Sequence, residues 1–262
     1  MRQLTNRRDW GKTMRPRVWH LDPPMPKRAH NRPLRRLLRW IAGALAVLVA
    51  IPAILTPVYI LVDPVSVPML VRYITGQRVE REWRDIADIS DRLKAAVVMS
   101  EDGQFCRHWG VDLGALRMEV EDLLAGRPAR GASTITMQVA RNLFLWNDRS
   151  FIRKGLEIPL AVYIDLVLSK ERIMEIYLNI AEWGPNGEFG AAAGAEAAFG
   201  VEPQNLPWDR AALLVTALPN PHVRLPGNPG PNQRRIAGIV EERAREYGQR
   251  AACVSPGGTL AL

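Results

Sequence analysis

A chain of 262 residues, 47% of them apolar, has material for one globular domain with appendages and excludes a wholly disordered polypeptide. Its net charge of +8 is unevenly placed: residues 1–40 hold twelve Lys and Arg against two Asp, a surplus of +10 that leaves −2 for the rest. The basicity therefore belongs to a tail, which argues against a basic nucleic-acid-binding domain.

Residues 1–36 are rich in Arg and Pro without apolar periodicity and read as a disordered tail. Residues 37–62, LLRWIAGALAVLVAIPAILTPVYILV, carry no charge after Arg39. At ~1.5 Å per residue they reach roughly the 30 Å of a hydrocarbon core. Trp40 and Tyr59 stand near the ends, where amphipathic rings favour the interface. Pro52 and Pro57 are better tolerated in a membrane helix than in a soluble one. A cleaved signal peptide is the weaker reading: the apolar run is too long, the basic region too extended, and no small-residue cleavage site stands out. Cations before the span predict a cytoplasmic N-terminus, with residues 63–262 outside as one domain.

Residues 63–91, with Pro64, Pro68 and Gly76, form a connector to which no element is assigned. A helix is expected over 92–99. Asp112 reads as the cap of the next, with Leu113, Leu116, Val120, Leu123 and Leu124 on one face and Gly126 as its stop. Residues 127–131 are then a loop, a candidate flap. Ser169 caps another helix, with Ile173, Ile176, Tyr177 and Ile180 on one face. Residues 184–200 are Gly/Ala-rich, which suits tight turns and close helix packing. A short helix over 209–218 ends at Pro219-Asn220-Pro221. A last one over 232–247 puts Ile236, Ile239, Val240, Ala244 and Tyr247 on one face and stops at Gly248. With no long β-alternation and no repeat, the fold class is mainly α. Cys106 and Cys253 have no metal-ligand spacing. They make one disulfide if the domain is extracytoplasmic; two unrelated free thiols is the plainer expectation.

Three clusters carry chemistry. The first is Glu101-Asp102 with Phe105 and His108. The second is Ser133, Thr134, Thr136, Gln138, Arg141 and Asn142. The third is Arg149, Arg153 and Lys154 with Glu157. Singly, each has a plain alternative: an acid pair that caps a helix, hydroxyls that satisfy a turn, a solvated basic face.

Together and in this order they resemble a family. The motifs are Glu-Asp-x-x-Phe-x-x-His-x-Gly-x-Asp over 101–112, Gly-x-Ser-Thr-Ile-Thr-x-Gln-x-x-Arg-Asn over 131–142, Arg-Lys-x-x-Glu over 153–157 and Lys-Glu-Arg-Ile-x-Glu-x-Tyr-Leu-Asn over 170–179. Ala-Phe-Gly at 198–200 and Leu-Pro-Asn-Pro at 218–221 follow. Over about residues 60–225 the chain is similar to the peptidoglycan glycosyltransferases. It departs from many members at Met137, Arg141, Leu156 and Ala198; Arg in place of Lys at 141 keeps the charge but changes donor geometry. No Ser-x-x-Lys or Lys-Thr-Gly of a transpeptidase follows.

The resemblance implies a lysozyme-like, mostly helical domain behind one transmembrane helix, on the outer face of the cytoplasmic (inner) membrane. It implies polymerisation of lipid II onto a lipid-linked glycan chain, with other cell-wall synthesis proteins as candidate partners and no nucleic acid. Glu101 would be the catalytic base. Glu157, the second catalytic carboxylate, would orient cations or help hold a divalent ion, Mg or Mn, on the diphosphate; no cofactor is required. Arg141, Arg149, Arg153 and Lys154 would compensate the diphosphate charge. Asp102, Phe105, His108, Ser133, Thr134, Gln138 and Asn142 would shape the substrate site. The rivals are a lysozyme-like lytic enzyme, which needs a protonated carboxyl and no diphosphate-binding cations, and a non-catalytic membrane scaffold.

Overall fold

The computed structural model describes residues 32–127, 131–146, 148 and 150–262. Residues 1–31 of the expected tail over 1–36, the tip of the expected flap at 128–130 and the candidate Arg149 lie outside the described residues; residues 32–36, expected in the tail, are already helical. The chain divides after Ala44. Residues 32–44 are the first turns of helix α1 (Arg32–Val58), and residues 45–262 form a compact unit.

A stretch of α1, Arg35–Val58, is long and apolar enough to cross a membrane, with a mean hydropathy of 2.3. The helix stops four residues before the expected end at Val62, and Tyr59–Val62 form turns. Two features account for the early stop. Pro57 has no N–H to give the carbonyl of Ala53, and the Tyr163 hydroxyl donates to that carbonyl instead at 3.0 Å. Arg172 then takes the carbonyls of Tyr59 (2.9 Å) and Val62 (3.1 Å) and pairs with Asp63.

The connector contains a helix the sequence reading missed, α2 (Val67–Ile74), started by Ser66 and Pro68. A two-residue strand, β1 (Glu80–Arg81), follows. The core forms around α3 (Asp91–Glu101), where Leu93, Ala95, Ala96, Val97 and Val98 are fully buried. Helix α4 (Leu113–Leu124) is capped by Asp112, which accepts from Ala115 N at 2.9 Å. Of its expected apolar face Leu116 packs against the core, whereas Leu113, Val120, Leu123 and Leu124 are exposed.

Helix α5 (Ile135–Phe144) and helix α6 (Phe151–Val167) were not expected. The Ser-Thr-Ile-Thr knot is the start of α5, with the Thr134 hydroxyl accepting from Met137 N at 3.1 Å. Gly155 and Pro159 disguise α6, which carries both within it. Helix α7 (Lys170–Ile180) is capped by Ser169 as expected, and Ile173 to Ile180 are all buried. Strand β2 (Glu188–Phe189) pairs in parallel with β1. Helix α8 (Gly190–Phe199) is Ala/Gly-rich because Trp183 packs on it; a Cβ at Gly194 would lie 2.6 Å from that of Trp183.

Helix α9 (Trp208–Val215) and helix α10 (Pro231–Tyr247) close over α3. The α10 face differs from expectation. Ala237, Val240 and Ala244 are buried, whereas Ile239 and Tyr247 are exposed, because the small residues allow close approach to α3 and α9. Residues 248–254 continue as a 3-10 helix. The free-thiol expectation is overturned: Cys106 and Cys253 form a disulfide.

Gly110 ties three elements together. It has φ +75°, its carbonyl accepts from Thr134 Oγ at 2.6 Å, and a Cβ there would collide with the Ala161 backbone of α6. Gly110→Ala should therefore cost ~1–3 kcal/mol from the backbone conformation alone, with the clash added. Thermal unfolding followed by circular dichroism checks this; an unchanged midpoint would mean that the turn accommodates a side chain.

Candidate active site

Helix α3 runs through the core and ends at the proposed base. Glu101 Oε2 accepts from Gln138 Nε2 of α5 at 3.0 Å, and Oε1 from Ser100 Oγ at 3.4 Å. Gln138 Oε1 in turn accepts from the Tyr177 hydroxyl of α7 at 3.1 Å. Three helices thus contribute one side chain each to a chain of hydrogen bonds ending on the carboxylate.

Burial pushes the Glu101 carboxyl above its ordinary 4.5. The bonds from Gln138 and Ser100 and the charges of Arg141 and Arg224 offset part of that shift. Tyr177 is held well above the usual phenol range by its complete burial and then by the Glu101 charge, so it remains a neutral donor.

Beside this chain lies a groove of about 540 Å³. Gln138, Arg141 and Asn142 of α5, Arg153 of α6 and Tyr177 of α7 line it, and the segment Leu218 to His222 faces them. Two cations therefore share one groove. Arg153 is buried, and its pKa is lowered by that burial and by the charge of Arg141. It is retained by an ion pair with Glu157 and by a bond from Nε to the Asp148 carbonyl. Arg141 differs: its Nε is buried with no hydrogen-bond partner among the described residues. A half-buried guanidinium with an unmet donor is suited to an anion.

Several residues expected to touch substrate are turned into the fold. Both Asp102 oxygens lie 3.0 Å from His108 Nε2, and Oδ2 also accepts from Ile135 N, the first amide of α5, at 3.0 Å. Asp102 therefore fixes the start of α5, where the helix dipole favours an anion. Phe105 is fully buried, with the Lys170 ammonium 4.5 Å from its ring centre. Thr134 is buried, and its hydroxyl both accepts from Met137 N and donates to Gly110. None of these, nor His108, lines the groove. Glu101 is not among the groove's lining residues either and meets it through Gln138; Asp102, His108 and Thr134 hold these two in register. Ser133 lies half-buried just before the cap. Lys154 is also drawn away: it pairs with Glu119 of α4 at 2.6 Å, and Glu119 accepts from Ala132 N as well. Arg149 lies outside the described residues.

The sequence reading missed Glu119, Arg224 and the roles of Tyr177 and His222. Tyr177 was assigned to a core face, and only tertiary contacts show that its hydroxyl reaches Gln138. Leu-Pro-Asn-Pro was noticed as a motif, but nothing local showed that it walls a groove. Among the described residues no group of three His, Cys, Asp or Glu is placed to hold a metal ion.

The sequence model of the family described as Transglycosylase matches residues 69–244. A protein named biosynthetic peptidoglycan transglycosylase from Rhodopseudomonas palustris (strain HaA2) is 52% identical over 81% of this chain and 94% of its own length. Proteins of the same name from Mesorhizobium japonicum and Agrobacterium fabrum are 49% and 50% identical, over 88% and 84% of this chain and 100% and 98% of their own. The match covers the segment that carries Glu101, the groove and both of its arginines, and the chain belongs to the transglycosylase family.

Proposed function

We propose that this protein polymerises lipid II into linear β-1,4-linked glycan strands of peptidoglycan, with release of undecaprenyl diphosphate. The observation that carries the reading is the Glu101 carboxylate bonded to Gln138, which lines a groove that also holds Arg141 and Arg153. The names of the relatives support the substrate class.

The chemistry follows from these positions. A sugar 4-hydroxyl attacks the anomeric carbon of the lipid-linked chain, and its proton passes to the Glu101 carboxylate as the bond forms. The anomeric carbon–oxygen bond breaks, and the electron pair leaves with the diphosphate. No enzyme-bound sugar intervenes, so the anomeric centre inverts. The raised pKa strengthens Glu101 as a base, while the Gln138 and Ser100 donors offset part of that shift. Arg141 receives diphosphate oxygens in this reading, supported by its position in the groove and its partnerless Nε, and Arg153 adds charge there. Glu157 orients Arg153. That pairing occupies the Glu157 carboxylate.

The basic tail before the α1 span supports a cytoplasmic N-terminus and an extracytoplasmic domain in the inner membrane. The Cys106–Cys253 disulfide suits the same, oxidising side. A lytic activity fits less well. Cutting finished glycan releases no diphosphate, so it gives no task to Arg141 and Arg153 in the groove.

Incubation with lipid II and, separately, with finished glycan tests the reading: growth of chains is expected in the first and no fragments in the second. Glu101→Gln should lower polymerisation by ~10²–10⁴-fold with unchanged circular dichroism; retained activity removes Glu101 as base. Arg141→Ala should lower kcat by ~10²–10³-fold, about 2.7–4 kcal/mol. It is a cleaner probe than Arg153→Ala, which would strand Glu157 as a buried unpaired charge and destabilise the fold by ~3–5 kcal/mol. A base must be ionised, so the rate should fall as pH drops through the Glu101 pKa, above 4.5. Gln138→Ala removes a donor to the anion, so the acid limb of kcat/KM should move to higher pH; a limb that stays or moves lower refutes the assignment.

A further inference from the structure

The family match ends at residue 244, but the chain beyond it is folded onto the helix that carries the base. The 3-10 helix over 248–254 packs along α3, with Ala251 and Val254 fully buried. A Cβ on Gly248 would lie 3.1 Å from that of Ala95 in α3. The chain then turns back, its ends joined where Gln249 Nε2 donates to the Leu260 carbonyl at 2.9 Å. Ala261 N donates to Asp91 Oδ2, on the first residue of α3, at 2.7 Å. At the far end of α3, Cys253 is bonded to Cys106, five residues past Glu101. The C-terminal segment thus holds α3 where it begins and the catalytic loop where α3 ends.

We propose that Cys253 is a positioning residue for the transfer reaction: bonded to Cys106, it braces the Glu101 segment with residues 248–262, and full turnover requires that bond to be oxidised. The proposal rests on Glu101 being the base. Cys106 lies between Phe105 and His108, and His108 is bound to Asp102. Asp102 fixes the α5 amide that sets the position of Gln138. Release of Cys106 therefore loosens both the base and its donor. A misplacement of about 1 Å at a reacting group costs on the order of a hundredfold in rate. Reduction itself is ordinary exchange: a dithiol reductant passes two electrons to the disulfide, the two sulfurs become thiols, and the reductant leaves as its own cyclic disulfide.

The test uses the full chain in detergent with lipid II, oxidised and after treatment with a dithiol, with free thiols counted. Cys106→Ser/Cys253→Ser serves as the form that reductant cannot change. Reduction is expected to lower kcat by roughly tenfold or more while KM stays within about twofold. Water entering the loosened site should bring the acid limb of kcat to lower pH. Reoxidation should restore both, and the double variant should match the reduced protein with or without reductant. Circular dichroism at the assay temperature separates this from unfolding. A reduced protein with counted thiols that keeps the oxidised kcat and pH profile overturns the brace, as does a loss of rate that only tracks the unfolded fraction. An oxidised protein that makes no glycan overturns the proposed function instead.

Discussion

A carboxylate at the end of a buried helix is unstable as an anion unless donors reach it, and that constraint arranges this domain. Helix α3 has five fully buried apolar residues, so its direction is fixed by the core. Its last residue is Glu101, at the end of the helix whose dipole disfavours negative charge. Burial raises the carboxyl's pKa in the same direction. That cost is offset in part because α5 and α7 bring Gln138 and Tyr177 into line with it. The adjacent acid solves the companion problem. Asp102 sits at the favourable end of α5 and takes its first amide, so α5 starts where Gln138, one turn further on, meets Glu101. Two neighbouring carboxylates thus do different work because one ends a helix and the other begins one.

The same sorting applies to the cations. Arg153 and Lys154 are sequence neighbours, yet their side chains go to different partners. Arg153 is locked by Glu157 beside the groove, and Lys154 is drawn by Glu119 to α4 and the end of the loop before α5. Arg141 alone among these described cations keeps a buried Nε without a partner. A guanidinium presents donors in a fixed fork, so two can meet phosphate oxygens while others point elsewhere. That geometry fits a residue whose protein partners are incomplete. Lysine at this position would be a point charge without the fork.

Much of this was legible before any coordinates. The caps Asp112 and Ser169 were correct, because an Asn, Asp, Ser or Thr before an apolar period is a local signal. The buried face of α7 was correct for the same reason. Helix α6 was missed because Gly155 and Pro159 are local signals too, and the packing of α5 against α6 overrides them. The Ser-Thr-Ile-Thr start of α5 read equally well as a turn until the Thr134 bonds were visible. Periodicity gave α4 an apolar face without saying what it faces, and apart from Leu116 that face is exposed. The disulfide joins residues 147 apart in sequence, beyond any spacing rule. Of the site residues, those expected around Glu101 divide into groove and scaffold only through hydrogen bonds that no one-dimensional pattern carries.

With α1 as a membrane span, as proposed, the end of that helix bears on the same chemistry. Pro57 leaves the Ala53 carbonyl without its usual donor, and Tyr163 of α6 supplies one. Arg172 of α7 fixes the carbonyls just past the helix. The two helices that secure the end of the span are the ones that carry Arg153 and Tyr177 to the groove. In the proposed reaction both sugars are attached to lipid, so their diphosphates cannot diffuse away from the bilayer surface. A groove tied to the end of the span meets them there without a further search in three dimensions, and the orientational cost of bringing donor and acceptor together is reduced before chemistry begins.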